Sequence, residues 1–394
     1  MNRDGNEKER MYLNMGPSHP AMHGTVRILV ELEGEKIINS DVEIGYLHRG
    51  FEKMAENCTY NQVIPYTDRL NYVSPLINNV GYVMAVEKLL GIEVPERCKY
   101  IRTIMSEISR ITDHLTCIAA AAAELGALTV FFYFMKAREY LWELIEATTG
   151  ARLTTSYTRV GGVVRDLPEN FRDGVKKAFE KVREAIYEVD RLLTRNRIFL
   201  DRTKGVGVIT AEEAIEYGFT GPCLRATGVN YDVRKAQPYL IYKELDFDIP
   251  LGTNGDTFDR YIVRMEEMHQ SMRIVEQALE RIPSGPIAVD APDVFLPPKQ
   301  RVYTTIEALM GHFKLIMEGV KVPPGEVYFA VEGANGELGF YIVSDGSGKP
   351  YRVRVRPPCF AIMQAFSRLI KGHMVADVIP IFGSINMIGG EIDR

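Results

Sequence analysis

Residues 16–24 read Gly-Pro-Ser-His-Pro-Ala-Met-His-Gly and hold two of the chain's seven histidines, His19 and His23. The glycines at both ends and the two prolines prevent a continuous helix here. The sequence therefore predicts a turn-rich loop between two strand-like runs, 11–15 and 25–32. Two interpretations of the histidines stay open. Either their side chains hydrogen-bond to nearby backbone groups and have a structural role, or the loop holds them in place for a function.

Outside this loop the sequence predicts an α+β protein with long helices at its centre. Residues 25–44 alternate between apolar and polar as a β-hairpin does, and residues 326–357 alternate as a β-meander does. A short helix follows residues 45–52. Apolar periodicity predicts further helices at 78–90, 96–125, 130–149, 169–196, 256–281 and 302–318. We expect a short helix at 361–371 and a final apolar strand after it.

Composition describes an ordinary globular protein of 394 residues, 46% of them hydrophobic and 25% charged. A net charge of −5 gives no overall footprint for nucleic acid. Five scattered cysteines predict a reducing compartment without a disulfide framework. The N-terminus is charged and no apolar signal region follows it, so we expect a cytoplasmic protein.

The apolar stretch 117–135 approaches the length of a membrane span. Glu124 lies near its centre, where lipid would make a carboxylate costly. Residues 125–129 read Leu-Gly-Ala-Leu-Thr, which predicts a break between two helices. We therefore expect two buried helices that meet at a turn, with Glu124 inside the protein and in need of a partner.

Several common catalytic and cofactor motifs are missing from the sequence. Residues 205–207 lack the third glycine of a dinucleotide fingerprint, and no Walker-type loop is present. We find no Cys-x-x-Cys pair, so a cysteine-ligated cluster or zinc site is not expected. His19 and His23 are separated by Pro20, which spoils a helical metal site. The sequence thus predicts no metal site and no cofactor bound by this chain alone.

A group of polar residues near turns could still support a proton-coupled reaction at a buried carbonyl, because tyrosine and histidine both donate hydrogen bonds and protons. The group consists of His23, His48, Arg49, Arg69, Tyr72 and Glu124. The spacing does not show that these residues converge. In the meander, Arg352, Arg354 and Arg356 share one strand face, which is either solvated or a docking surface for a partner.

Six motifs occur together in one order and resemble those of a known family. They are residues 16–24, 45–53 (Gly-Tyr-Leu-His-Arg-Gly-Phe-Glu-Lys), 157–162 (Tyr-Thr-Arg-Val-Gly-Gly), 224–228 (Leu-Arg-Ala-Thr-Gly), 336–345 (Gly-Glu-Leu-Gly-Phe-Tyr-Ile-Val-Ser-Asp) and 391–394 (Glu-Ile-Asp-Arg). From about residue 11 to its end, the chain resembles the D subunit of respiratory complex I, the 49-kilodalton type.

The resemblance implies a fold related to the large subunit of [NiFe] hydrogenases, as one domain over residues 1–394. Its parts would be an N-terminal α/β part (11–75), a helical bundle (76–320) and a β-rich end (321–394). Asn71 and Ser74 stand where the hydrogenase has metal-binding cysteines, which argues against hydrogenase activity. The second cysteine pair is likewise missing, around residues 383–390. The emptied metal site would form part of a quinone-reduction site.

The resemblance also assigns roles to single residues. His23 and Tyr72 would hydrogen-bond the two quinone carbonyls. Glu124 stands where the family usually has the aspartate that pairs with the histidine. Phe132 would line the quinone channel, with plain core packing as the alternative. Arg49, Arg69 and His48 would lie near a [4Fe-4S] cluster of the adjacent subunit.

One departure concerns residues 154–157, Thr-Thr-Ser-Tyr, where many family members have His-His-Asn-Tyr. The first histidine of that run couples the potential of the partner's cluster to pH. With Thr154 there, we predict a potential that depends little on pH.

The function implied is that of the quinone-binding subunit of a complex I-type NADH:quinone oxidoreductase, in a proton-coupled reduction linked to ion translocation. Its partners would be the iron-sulfur-cluster subunit, other peripheral-arm subunits and membrane-arm subunits at the quinone entrance. It would be peripheral, on the cytoplasmic side of the cell membrane. Two alternatives stay open: the same subunit in a ferredoxin- or deazaflavin-dependent complex, and a non-catalytic scaffold in a membrane-bound hydrogenase assembly.

Overall fold

Seventeen α-helices and three small β-sheets make up the described part of the chain, residues 10–18 and 25–394 of a computed structural model. In chain order the helices are α1 (Phe51–Asn57), α2 (Tyr60–Thr67), α3 (Pro75–Leu90), α4 (Glu96–Glu124), α5 (Leu128–Thr149), α6 (Phe171–Val189), α7 (Arg197–Thr203), α8 (Ala211–Glu216), α9 (Gly221–Arg225), α10 (Val233–Ala236), α11 (Thr257–Arg281), α12 (Lys299–Thr304), α13 (Ile306–Met317), α14 (Pro358–Gln364), α15 (Phe366–Ile370), α16 (Val375–Ile385) and α17 (Gly389–Ile392). A π-helical turn, Asp190–Thr194, continues α6, and a 3₁₀ helix covers Tyr242–Glu244.

All three sheets are antiparallel, with neighbouring strands in sequence order. The first contains β1 (Arg10–Met15), β2 (Arg27–Glu33) and β3 (Lys36–Glu43), the second β4 (Thr158–Arg159) and β5 (Gly162–Val163), and the third β6 (Gly325–Glu332), β7 (Glu337–Ser344) and β8 (Arg352–Arg356). The predicted hairpin and meander are therefore confirmed, and β1 adds a third strand to the hairpin. The loop with His19 and His23 lies outside the described residues.

Helix α4 is the centre of the fold, because every side chain from residue 100 to residue 115 is buried. It packs against α3, α5, α11 and α16. The predicted break after it is confirmed, since α4 ends at Glu124 and α5 begins at Leu128, with Gly126 at a positive φ of 90° between them. Among the described residues, no helix is both long and apolar enough to cross a membrane.

Three predicted helices are shorter or more divided than the sequence indicates. The helix expected at 361–371 is divided at Ala365 into α14 and α15. The helix expected at 169–196 is regular only to Val189. The helix expected at 302–318 is divided at Thr305, whose extended φ of −131° separates α12 from α13. A β-branched residue in an extended conformation ends the first segment and caps the second.

The expected final strand is wrong, because residues 375–385 form α16. The sequence is nearly continuously apolar over 378–385, and so short an apolar run has no period that would distinguish a strand from a helix. Pro380 lies inside it and has no N–H for the Ala376 carbonyl, which accepts from Arg202 at 2.6 Å instead. Asn386 ends α16 in the left-handed conformation, with φ 51°.

The arginine face of β8 is used within the chain. Arg352 pairs with Glu56 at 3.2 Å and Arg354 pairs with Glu52 at 2.5 Å, so both arginines hold α1 against the sheet. Arg356 donates to the carbonyl of Gly218 at 2.8 Å. These pairs fix α1, which begins within residues 45–53. The side chains of Arg352 and Arg354 remain 43% and 56% exposed, so the face is partly solvated, and a docking surface for a partner stays a prediction.

Candidate functional site

The Asp113 carboxylate, in the middle of α4, joins two distant segments of the chain. Asn71 Nδ2 and Ser74 Oγ each donate to its Oδ2 at 2.8 Å. From the other end of the chain, Asn386 Nδ2 donates to its Oδ1 at 2.8 Å. All but Asn386 are buried. The two positions that the resemblance assigns to metal-binding cysteines are thus held here by hydrogen bonds to a carboxylate.

Asn386 also connects this carboxylate to α14. Its side-chain amide donates to Asn335 Oδ1 at 2.5 Å, and the Asn335 amide donates to the Cys359 sulfur at 3.3 Å. The left-handed backbone of Asn386 places its side chain for both contacts. Within residues 10–18 and 25–394, no group of three or more histidine, cysteine, aspartate or glutamate side chains could hold a metal ion.

Asp113 and the residues hydrogen-bonded around it, Asn71, Ser74, Asn386, Asn335 and Cys359, form what we call the Asp113 cluster. Beside this cluster lies a cavity of about 220 Å³, with Tyr72 in its wall. The remaining lining residues are Val73, Thr116, Cys117, Ala120, Ala121, Phe382, Gly383, Asn386, Met387 and Ile388. Most of this wall is apolar, and the polar groups belong to few residues, as in sites that bind a flat apolar ligand by its polar atoms. Helices α4 and α16 supply most of the wall.

Tyr72 is half-buried, and its phenol remains a proton donor at neutral pH. Burial raises its pKa above the usual value, and the nearby acidic groups of Cys359, Asp113 and Glu391 raise that pKa further. A phenol of raised pKa holds its proton until a more basic oxygen forms next to it. This is the property needed to protonate a reduced carbonyl oxygen.

Glu124, the last residue of α4, lies next to Gly383, which lines the cavity. A Cβ added to Gly383 would lie 3.0 Å from Glu124 Oε2. Of the three predicted catalytic residues, Tyr72 therefore lines the cavity, and Glu124 lies close to one of its lining residues without lining it, so its role stays a prediction. The third, His23, lies outside the described residues, so its role stays a prediction.

Arg49, Arg69 and His48 form an exposed polar surface next to this site. The Arg49 guanidinium donates to the backbone carbonyl of Arg69 at 2.5 Å. Burial and then the Arg69 charge lower the pKa of Arg49. His48 Nδ1 lies 3.3 Å from the carbonyl of Asp393. The structure thus brings these predicted residues together, and their proximity to a partner's cluster stays a prediction.

The C-terminal residues hold this surface in place. The Asp393 carboxylate accepts hydrogen bonds from the backbone amides of Gly45 at 2.7 Å and Leu47 at 2.8 Å. A Cβ on Gly389 would lie 2.5 Å from Leu47 Cδ1, so α17 and the 45–50 loop are in close contact. The last motif of the chain therefore positions the second one.

Phe132 projects from α5 and is 61% exposed, so the alternative of plain core packing is wrong. It does not line the 220 Å³ cavity. Its ring meets Phe131 edge-on, with a centroid distance of 5.9 Å. A role in a channel shared with a partner stays a prediction.

Sequence reasoning missed Asp113, Asn335, Asn386 and Cys359. A signal for Asp113 existed, because an aspartate in the middle of a long, largely apolar helix requires an internal partner. Asn335 lies in a predicted turn, and Asn386 follows an apolar run interpreted as a strand, so neither stood out.

The fold and site define a class of protein: an α+β subunit with a buried central helix, whose hydrogen-bonded polar cluster borders an apolar cavity. The model of the family "Respiratory-chain NADH dehydrogenase, 49 Kd subunit" matches residues 124–394. The chain belongs to this family, as the motifs predicted, and it is a subunit of an oxidoreductase complex.

Relatives match over almost the whole chain. One of the D subunits of the NADH-quinone oxidoreductase of Sorangium cellulosum is 59% identical over 387 residues, which cover 98% of this chain and 96% of the relative. The D subunit from Myxococcus xanthus is 58% identical, covering 98% and 94%. The C/D subunit from Bdellovibrio bacteriovorus is 54% identical, covering 97% of this chain and 68% of the relative.

Proposed function

We propose that this chain is the quinone-binding subunit of a complex I-type NADH:quinone oxidoreductase. Family membership and the names of its relatives, D subunits of NADH-quinone oxidoreductases, support the class of reaction. The observation that carries the proposal is the position of Tyr72, whose phenol lies in the wall of a mostly apolar cavity. A quinone has a flat apolar ring and two carbonyl oxygens, which this combination suits.

In this mechanism the quinone headgroup enters the cavity and Tyr72 donates a hydrogen bond to one carbonyl oxygen. His23 donates to the other oxygen, and Glu124 pairs with His23 and restores its proton. Reduction builds negative charge on both oxygens, so donors there stabilise the product more than the substrate. Each oxygen then takes one proton. The [4Fe-4S] cluster of the adjacent subunit would supply the two electrons, one at a time.

The surface of Arg49, Arg69 and His48 would face that cluster. Cations beside a cluster favour its reduced, more negative state. Arg49 is held to the turn before Tyr72 through the Arg69 carbonyl, so one short segment would connect the electron donor with the proton donor. The other partners would be peripheral-arm subunits and membrane-arm subunits, which would carry ion translocation.

The fold of the whole chain would be related to the large subunit of [NiFe] hydrogenases, as one domain with parts 11–75, 76–320 and 321–394. In that relation the Asp113 cluster occupies the place of the lost metals. It would hold the emptied site in shape. The protein would lie on the cytoplasmic side of the membrane, peripheral to the membrane arm.

Replacement of Tyr72 by phenylalanine in the intact complex tests the proposal. The change removes one hydroxyl and keeps the ring, so packing should survive. We expect quinone turnover to fall by about 10²-fold, the scale for losing a positioned acid, while NADH still reduces the partner's cluster. Tyr351→Phe, at an exposed position, is the matched control. Unchanged turnover in an assembled Tyr72→Phe complex would contradict the proposal and favour a scaffold.

A further inference from the structure

Glu391 is a buried carboxyl group in α17, directly behind the turn that carries Tyr72. The residue is only 2% exposed. A Cβ on its neighbour Gly390 would lie 2.3 Å from the carbonyl oxygen of Arg69 and 2.6 Å from that of Leu70. The backbone of α17 is therefore in direct contact with the segment that leads into Tyr72.

Groups from three other elements face the Glu391 carboxyl. They are the thiol and backbone amide of Cys359 in α14, the side-chain amide of Asn335 in the β6–β7 turn, and the Asp113 carboxylate in α4. Its Oε2 is enclosed and has no hydrogen-bond partner within the described ranges. Burial raises the pKa of Glu391 to about 7, although the Cys359 thiol beside it favours the charged form. The group can therefore bind and release a proton near neutral pH.

The same group is electrostatically coupled to Tyr72. Cys359, Asp113 and Glu391 each raise the pKa of the Tyr72 phenol, whereas the Arg49 charge lowers it. Tyr72 lines the cavity and Glu391 does not. Glu391 thus lies outside the cavity wall, next to the segment that leads into Tyr72, and the mechanism above gives it no role.

We infer that Glu391 is a positioning residue that returns a proton to Tyr72 after each quinone reduction. The inference rests on the proposed function. In the first step the phenolic O–H bond of Tyr72 breaks and an O–H bond forms on the reduced quinone oxygen, which leaves a tyrosinate. In the second step the O–H bond of the Glu391 carboxyl breaks and that of Tyr72 forms again. The carboxylate then regains its proton from solvent water, and no electron moves in either of the last two transfers.

A purely structural role for Glu391 makes different predictions. A space-filling carboxyl would affect assembly or quinone KM, and its loss would lower turnover by the same factor at every pH. A carboxyl that returns a proton raises kcat only at pH values where it is protonated. Its loss therefore changes the shape of the pH profile of kcat. The pH profile of kcat therefore separates the two roles.

The experiment compares the intact membrane complex with its Glu391→Gln, Glu391→Asp and Tyr72→Phe variants. We measure kcat and KM for a soluble quinone from about pH 6 to about pH 8.5, a range that brackets neutral proton transfer. Wild-type kcat should fall as pH rises through about 7. At the acid end, the kcat of Glu391→Gln should be lower than that of the wild type by about tenfold. This loss is smaller than the loss of a direct acid, because water can replace Glu391 as proton donor. The kcat of Glu391→Gln should not fall as pH rises through the same range. Glu318→Gln, at the surface, is the matched control.

The outcomes separate this inference from the proposed function. Loss of the pH-dependent fall in Glu391→Gln, with its retention in Glu391→Asp and unchanged KM, supports the inference. Wild-type behaviour of Glu391→Gln, or an equal loss at all pH values, overturns it while a slow Tyr72→Phe variant upholds the quinone site. Wild-type turnover in Tyr72→Phe overturns both. If Glu391→Gln does not assemble, the Glu391→Asp profile decides: a retained or displaced fall supports the inference, and a flat profile overturns it.

Discussion

The side-chain amide of Asn386 donates to the Asp113 carboxylate at 2.8 Å and so ties the loop after α16 to the middle of α4. The other oxygen of the same carboxylate holds Asn71 and Ser74. Asn71 and Ser74 lie on either side of Tyr72 in the sequence, and Asn386 directly precedes Met387. Tyr72 and Met387 both line the cavity. One carboxylate therefore sets the distance between two walls of the candidate quinone site.

Replacement of Asp113 by asparagine should loosen both walls. In the asparagine variant the amide nitrogen replaces one of the two oxygens and accepts no hydrogen bond. Either Asn386 or the buried pair Asn71 and Ser74 therefore loses its acceptor. Each such loss costs about 1–3 kcal/mol. We expect a lower unfolding temperature of the protein within the complex and a raised quinone KM. Asp41→Asn, at an exposed position of β3, should change neither, and equal effects of the two changes would contradict the prediction.

Replacement of Gly390 by alanine should displace α17. The added Cβ would meet two backbone carbonyl oxygens, those of Arg69 and Leu70, and backbone atoms cannot rotate away as a side chain can. Overpacking of this kind costs about 1–3 kcal/mol. We expect lower thermal stability and slower quinone turnover together, because the same segment carries Tyr72. Gly311→Ala in α13, whose nearest contact is the backbone oxygen of Pro292 at 3.3 Å, serves as control and should lose less stability than Gly390→Ala.

Replacement of Glu267 by glutamine should destabilise the core of the protein. Glu267 in α11 pairs with Arg225, and its Oε2 lies 2.8 Å from His114 Nε2, with all three side chains buried. Arg225 keeps two other carboxylates, Glu332 at 2.8 Å and Asp232 at 3.5 Å, so the loss should be smaller than the about 3–5 kcal/mol that follows when a buried charge loses its partner. The exposed neighbour Glu266, changed to glutamine, is the matched control in thermal denaturation. A loss no larger than that of the control would show that the pair contributes little.

The same change should also reduce the sensitivity of the fold to acid. Although burial works against its charge, Arg225 and then His114 hold the pKa of Glu267 well below the ordinary 4.5. A carboxylate with a lowered pKa stabilises the fold above its unfolded pKa, and this stabilisation is lost as pH falls below it. Glu267→Gln has no such contribution. Its free energy of unfolding should therefore change less than that of the wild type when pH falls below about 4.5.

Because residue 154 is a threonine, we predict that the redox potential of the partner subunit's [4Fe-4S] cluster depends little on pH. The neighbouring Ser156 donates through its hydroxyl and backbone amide to Asp68, so this loop is fixed near Arg69. Thr154→His should introduce a titrating group there and a pH-dependent potential. Redox titration of the complex at several pH values measures the potential in the wild type and in the Thr154→His variant. A wild-type slope near 59 mV per pH unit, about one proton per electron, would contradict the prediction.

Much of the fold could be predicted because its signals are local. Helix α4, its end at Glu124 and the start of α5 follow from apolar periodicity and from a glycine in the turn. The hairpin and meander follow from alternation and turn residues. Segment 375–385 could not be assigned correctly, because its apolar run, 378–385, is nearly continuous and short enough for either a strand or a helix.

The sequence by itself determined the family and the helical centre, since motifs and periodicity are properties of neighbours along the chain. It also named Tyr72 and Glu124 as site residues, a role that stays a prediction. Only the tertiary structure decided that Asp113 joins Asn71 to Asn386, and that Glu391 lies buried behind Tyr72. Hydrogen bonds across hundreds of residues and the desolvation of a carboxyl depend on which segments pack together. No local pattern contains that information, because the same residues exposed to water would have ordinary charges and no shared partner.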